Sequence, residues 1–466
     1  MPFSATGGLG DVLGSLPAAL AASGEADVRV VLPLYAALSQ EWRKQLKEEA
    51  VFYVPLAWRQ QYCGIYSLQK DGVTYYFIDN EYYFKRPNLY GFYDDGERYA
   101  YFCMAVMELM EKVDFFPDVL HAHDWQAALS VVYLNCLYRR RPGYENIRTV
   151  FTIHNIEYQG KYDFAILGDV FGLGENEHTL MEYGGCINLM KAAVECADRV
   201  STVSPRYAEE IRTAEYAHGL ETCLNRNAHK VCGILNGIDY VYYDPQTDKA
   251  IAQKFTSRSL HNKAKNKLAL QKETGLPLRE DVPMMSVISR LAAHKGLDLV
   301  TACIGEIVAN NDVQLVVLGK GEAGFEDFFT DLQHRYPDKV RALITYDRDL
   351  SKRIYAATDI FLMPSKSEPC GLSQMIASRY GAIPVVRETG GLYDSIKPYW
   401  IEGKTIHGNG FTFANYNAHE LKERTEAALA VWNDPDARKK LVTKIMKTDF
   451  SWSASAVKYM EMYAGI

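Results

Sequence analysis

The chain has 466 residues, 48% hydrophobic and 23% charged, which is too long for one ordinary core and too apolar for extensive disorder, so two or more folded domains are expected. A net charge of −7 argues against a nucleic-acid footprint or a binder of anionic membranes. No apolar stretch is long enough to span a bilayer, no signal sequence opens the chain, and nine scattered cysteines without metal-like spacing read as reduced thiols of a cytoplasmic protein.

In chain order, the first feature is a glycine-rich loop, Thr6 to Val12, running into the helical pattern Leu13 to Leu20. Glycines there let backbone N–H groups approach a ligand closely. Leu13 occupies the third glycine position of a dinucleotide fingerprint, so that motif is incomplete. A doubly wound domain normally places a strand before such a loop, and the first strand is therefore expected to be missing. Apolar strand patterns follow at 28–32, 73–78, 119–121, 150–153, 199–203 and 231–235. The stretch Asn236 to Asp248, rich in Asn, Gly, Asp and Pro, reads as a hinge. A second series of strands is expected at 284–288, 314–318, 340–344, 360–363 and 383–386. Trp452, Tyr459 and Tyr463 at helical spacing close the chain.

Strand and helix patterns in alternation predict an α/β fold of parallel sheets wrapped by helices. Two facing Rossmann-like, doubly wound domains are expected, 1–240 and 241–448, with ligand loops on a shared cleft. The 32 tyrosines read mostly as packing and surface contacts.

The chemistry-bearing residues cluster after two apolar strands. Arg290 and Lys295 follow Met284 to Ile288, and two cations at a strand-to-helix junction suit a diphosphate. Glu368 to Gln374 follow Ile360 to Met363, with Pro369, Gly371 and Ser373 opening a helix whose free N–H groups attract an anion. Glu368 at that mouth suits a sugar hydroxyl or a developing positive charge.

These pieces resemble glycogen and starch synthases, retaining glucosyltransferases of the GT-B fold. The likeness runs along nearly the whole chain through nine motifs in order. It takes in the loop at Thr6 to Asp11, His121 to Gln126, Thr152 to Gly160, Thr202 to Ala208 and Asn236 to Asp239. Beyond these come Arg290 with Lys295, Glu368 to Leu372, Pro384 to Leu392 and the terminal Phe450-Ser451-Trp452. The resemblance implies that Arg290 and Lys295 neutralise the departing diphosphate, that Glu368 is the active-site glutamate, and that His154 lies beside the transferred sugar. It further implies ligand contacts from Gly8, Asp11, Tyr93, Asp124, Asn155, Tyr346 (stacked on the base), Cys370, Gly371, Leu372, Thr389 and Gly390. The segment 449–466 would be a helix crossing back to the first domain.

The implied reaction transfers glucose from ADP-glucose, or alternatively UDP-glucose, to the 4-hydroxyl of an α-1,4-glucan. It uses no metal or cofactor and involves no nucleic acid or membrane. His121, His123 and Asp124 are accordingly not read as a metal site, and no motif for lysine-linked pyridoxal phosphate is present. The chain departs from the family at Ala5, where a donor-phosphate lysine is usual. Losing that cation removes a charged hydrogen bond, roughly 1.5–3 kcal/mol. The alternative reading is therefore a non-catalytic, glucan-binding paralogue. Ser367 and Tyr243 also replace usual aromatics, without consequence for the reaction class.

Overall fold

A computed structural model describes Phe3 and residues 7–466. Ala5, on which the departure from the family rests, and Thr6 of the glycine-rich segment lie outside the described residues. The chain forms two compact units, Met1–Asn236 with Trp452–Ile466, and Gly237–Ser451.

The first unit holds two four-stranded sheets. One is wholly parallel, in the order Val231–Gly233, Arg199–Thr202, Arg148–Ile153, Val119–His123. In the other, Arg29–Pro33 pairs parallel with Val73–Asp79, which continues antiparallel into Arg59–Lys70 and Lys47–Leu56. This last ribbon was not among the expected strands. Lys47–Leu56 alternates between exposed and buried positions toward its C-terminal half, and a half-solvated antiparallel strand lacks the continuous apolar run that marks a strand buried on both faces.

The opening segment also differs from expectation. A helix spans Gly8–Ala21, so Gly8 and Asp11 lie in its first turn and not in a loop. Gly7, at φ 71°, makes the left-handed entry. Val12, Leu16 and Leu20 form the buried stripe of that helix and pack with Ile234 against Trp452, Ala456 and Tyr459 of the last helix, Trp452–Ala464.

The second unit is a six-stranded parallel sheet in the order Val340–Leu343, Gln314–Leu318, Met284–Ile288, Ile360–Met363, Ile383–Arg387, Phe411–Phe413. All six strands bury apolar side chains, and Met284, Val316 and Leu318 pack with Leu270, Leu350 and Ile354 from helices on the sheet. The strand order reverses between Met284–Ile288 and Ile360–Met363, which are direct neighbours. Such a reversal opens a crevice at the carboxyl ends of the two strands. The loops bearing Arg290, Lys295 and Glu368 leave from those ends.

Candidate active site

After Met284–Ile288 the chain passes Arg290, makes one 3-10 turn at Ala293–Lys295, and enters the helix Leu297–Asn310 through Gly296. Gly296 has φ +73°, and a Cβ there would stand 2.0 Å from the Pro364 carbonyl oxygen. Only glycine allows this approach. It lets the Lys366 amide donate to the His294 carbonyl at 3.0 Å, lacing the two loops together. Lys295 Nζ consequently donates to Glu368 Oε2 at 2.7 Å, and Ser365 Oγ donates to the same oxygen at 3.0 Å. Glu368 is 7% exposed; its charge is compensated by the ammonium, as a buried carboxylate requires. The Arg290 guanidinium, which can only donate, gives a hydrogen bond to His294 Nε2 at 3.2 Å.

Two further loops back this pair. Gly319 and Gly321 carry no Cβ because one would lie 2.0 Å from the Ser289 oxygen and 2.2 Å from the Leu291 oxygen, respectively. The Glu322 amide donates to the Leu291 carbonyl and the Leu291 amide to the Lys320 carbonyl across this contact, and Glu322 Oε1 accepts from the Ala293 amide at 3.0 Å. On the other side, a Cβ on Gly390 would meet the Glu368 oxygen at 2.0 Å, and one on Gly391 the Cys370 oxygen at 1.9 Å. The Gly391 amide donates to the Glu368 and Pro369 carbonyls. Gln374 Nε2 donates to the carbonyls of Cys370 and Gly371 and to Ser395 Oγ, at 2.9 to 3.1 Å. The carbonyls of the Glu368 loop are thus turned inward, while the helix Ser373–Arg379 begins just beyond Leu372. The first N–H groups of a helix have no intrahelical acceptor and are suited to an anion or hydroxyl.

In the first unit, His123 and His154 leave the ends of adjacent parallel strands. His123 Nδ1 lies 3.0 Å from His154 Nε2. Asp124 adopts φ 58°, a left-handed conformation that aspartate tolerates better than most residues. Its Oδ1 accepts from the His154 amide at 2.8 Å. Burial pushes the Asp124 carboxyl up to about 7, against the lowering effect of the His154 and Asn155 amides. Burial likewise lowers His154 to about 3, so its imidazole is neutral at physiological pH. Asn155 Oδ1 caps its own turn by accepting from the Glu157 amide.

The structure therefore gathers Lys295, Glu368, Cys370, Gly371 and Gly390 into one cluster, with Arg290 in the same loop and Leu372 at its exit. Thr389 is fully buried, and Gly390 next to it backs directly onto the Glu368 carbonyl. Tyr346 stands on the turn before the helix Arg348–Ala357, 78% exposed, its hydroxyl accepting from Arg348 Nε. In the other unit Asp124, His154 and Asn155 meet, whereas Tyr93 projects fully exposed from another loop. That loop is pinned at its base, where the buried Arg98 and the amides of Gly91 and Phe92 hold the Asp95 carboxylate. Sequence reasoning passed over Ser365, Gly319 to Glu322 and the His123 contact, and gave Gln374 no role of its own within the run it closes. A Gly-Lys-Gly-Glu run directly after an apolar strand was the available signal for the second of these. Among the described residues no group of three His, Cys, Asp or Glu side chains is arranged to hold a metal ion, and no helix is long and apolar enough to cross a membrane.

The starch synthase catalytic domain profile matches residues 1–226, and the profile for glycosyl transferases group 1 matches residues 271–447. The chain is 47% identical over 464 residues to a glycogen synthase of Geobacillus thermodenitrificans, covering 99% of this chain and 95% of that protein. A glycogen synthase of Bacillus subtilis is 46% identical over 465 residues, with 99% and 95% covered. Among solved structures, the catalytic domain of starch synthase IV from Arabidopsis thaliana, bound to ADP and acarbose, superposes with a TM-score of 0.89 at 35% identity, covering 100% of this chain and 97% of that one. Sucrose-phosphate synthase from Thermosynechococcus elongatus shares the fold alone, at a TM-score of 0.60 and 17% identity over 99% of this chain and 94% of that one. Two α/β units, each with a parallel sheet, and full-length likeness to these enzymes agree: the chain belongs to the glycogen and starch synthase family of glucosyltransferases, with the GT-B fold.

Proposed function

We propose that this chain transfers the glucosyl group of ADP-glucose to the non-reducing-end 4-hydroxyl of an α-1,4-glucan, with retained anomeric configuration and without metal or cofactor, in the cytoplasm. The observation that carries the reading is the Lys295–Glu368 pair, 2.7 Å apart, at the reversal of the strand order. The Lys295 ammonium has three donors, so it holds Glu368 and still meets a phosphate oxygen. Arg290 and Lys295 stabilise the diphosphate as it acquires charge. Glu368 faces the glucosyl group, binding a hydroxyl or the positive charge that develops as the bond breaks, and the amides at Cys370 to Leu372 hold the sugar. His154 lies beside the transferred sugar, Asp124 and Asn155 bind sugar hydroxyls, and Tyr346 stacks on the base.

The C1–phosphate bond breaks and the C1–O4 bond forms on the same face. The departing phosphate oxygen, the nearest base on that face, takes the hydroxyl proton. The adenine nucleotide in the Arabidopsis neighbour supports ADP-glucose over UDP-glucose.

The test is glucose transfer to glycogen by the purified chain with either donor. Glu368→Ala and Lys295→Ala should each lower kcat on the order of 10²–10³-fold. A folded wild-type chain that moves no glucose from either donor overturns the reading. Ala5 favours a second one, a glucan-binding paralogue that retains glycogen without turnover.

A further inference from the structure

A row of histidines ends the neighbouring strands Val119–His123 and Arg148–Ile153, and the reaction above uses only His154. We propose that His123 is a positioning residue: it occupies Nε2 of His154 so that only Nδ1 is offered to the transferred sugar, while His121 supports it from behind. This rests on the reading of His154 as a sugar-binding residue.

Two anchors act on His154. Its main-chain amide is held by Asp124 Oδ1 at 2.8 Å, and its ring nitrogen Nε2 by His123 Nδ1 at 3.0 Å. His123 is itself held, since its ring stacks on His121 with centroids 4.1 Å apart and planes 26° from parallel. His121 has both nitrogens engaged, Nδ1 with the Tyr463 hydroxyl at 2.7 Å and Nε2 with Thr152 Oγ1 at 2.6 Å. Thr152 Oγ1 continues to Ser201 Oγ at 2.5 Å. Swinging the His121 ring therefore breaks two partly buried hydrogen bonds, which makes it a fixed wall for His123.

Burial keeps all three imidazoles neutral at physiological pH. A neutral imidazole has one N–H and one bare nitrogen, and the partner of one nitrogen decides the state of the other. With Nε2 bonded to His123, the state of His154 Nδ1 follows from that bond. Without His123 the ring is free to turn about Cβ–Cγ, a broad torsion, and to exchange tautomers, so only part of the population presents the productive nitrogen. Partners that orient a functional imidazole are worth roughly ten- to a hundredfold.

The experiment compares His123→Phe, His123→Asn, His154→Ala and the His123→Phe/His154→Ala double variant in glucose transfer to glycogen. Phe keeps the ring stacked on His121 but has no nitrogen, while Asn restores a hydrogen-bonding group near the Nδ1 position. We expect His123→Phe to lower kcat roughly ten- to a hundredfold with KM for ADP-glucose within about threefold. His123→Asn should recover most of that loss, and His123→Phe should add nothing once His154 is alanine. Nitrogen-15 spectra of selectively labelled histidine should show His154 as one tautomer in the wild type and a mixture in His123→Phe; if that variant does not fold, His123→Asn and the wild-type spectrum decide. An unchanged kcat in His123→Phe, losses that multiply in the double variant, or a tautomer mixture in the wild type overturns the proposal. An inactive His154→Ala beside a fully active His123→Phe refutes this inference alone, whereas an active His154→Ala refutes the sugar-binding reading beneath it.

Discussion

Gly296→Ala isolates the contact that assembles the donor side. The new methyl would lie 2.0 Å from the Pro364 oxygen and 2.6 Å from its carbonyl carbon, where real Cβ atoms essentially never come under 3.0 Å. The two loops must therefore part by about 1.0 Å, the difference between those limits, and neither neighbour is a flexible side chain. The shift falls beside the 3.0 Å bond from the Lys366 amide to the His294 carbonyl and the 2.7 Å Lys295–Glu368 pair. A misplacement of that size costs about a hundredfold in rate, or roughly 2.7 kcal/mol of transition-state stabilisation. The left-handed alanine adds about 1–2 kcal/mol of destabilisation. Gly403→Ala is the internal control, because Gly403 has φ +59° with nothing within 4 Å of its Cβ position. It bears the backbone penalty without the clash. The assay is glucose transfer to glycogen alongside thermal unfolding of both variants. Gly403→Ala should lose stability and keep its activity; Gly296→Ala should lose both. A folded Gly296→Ala retaining more than about a third of wild-type kcat/KM would refute the claim that loop lacing places the pair.

Ala5→Lys should lower KM for ADP-glucose about tenfold or more, the equivalent of one charged hydrogen bond, as read from initial rates over a donor titration. Tyr346→Ala should raise that KM about five- to a hundredfold at nearly constant kcat, since base stacking is worth roughly 1–3 kcal/mol, and thermal unfolding should not move because the ring is 78% exposed. Stability should also depend on pH through the histidine row. The folded-state values of His121, His123 and His154 lie below the ordinary 6.5, so their contribution is complete above 6.5 and is lost as the pH falls below it. Asp124 opposes them, because its raised carboxyl holds a proton between 3.8 and about 7 that the unfolded chain has released. Three histidines against one carboxyl leave the unfolded state with two more protons near pH 5. The expected loss is on the order of 2–3 kcal/mol per pH unit. Melting temperatures measured from pH 7 to 5 should fall for the wild type and fall less for His123→Asn.

Much of the fold was legible because its strands are buried on both faces. Met284 to Ile288 and Gln314 to Leu318 read as largely apolar runs for that reason, and both are strands of the parallel sheet. The ribbon Lys47–Leu56 with Arg59–Lys70 escaped notice because one of its faces is partly solvated. Gly8 to Asp11 read as loop because glycine lowers helix propensity, yet the packing of Val12, Leu16 and Leu20 on the last helix carries the helix back through them.

For the site, residue types and local spacing determined which groups are chemically apt: two cations after one strand, a carboxylate before a helix start after another, a histidine closing a third. Those are properties of a few consecutive residues. Which group meets which was decided only by tertiary structure. Lys295 and Glu368 are 73 residues apart and touch because their strands are neighbours and Gly296 admits the Pro364 carbonyl. His123 meets His154 because parallel pairing sets their strand ends side by side. Hydrogen bonds act over about 3 Å, and no local pattern encodes a distance between segments so far apart along the chain.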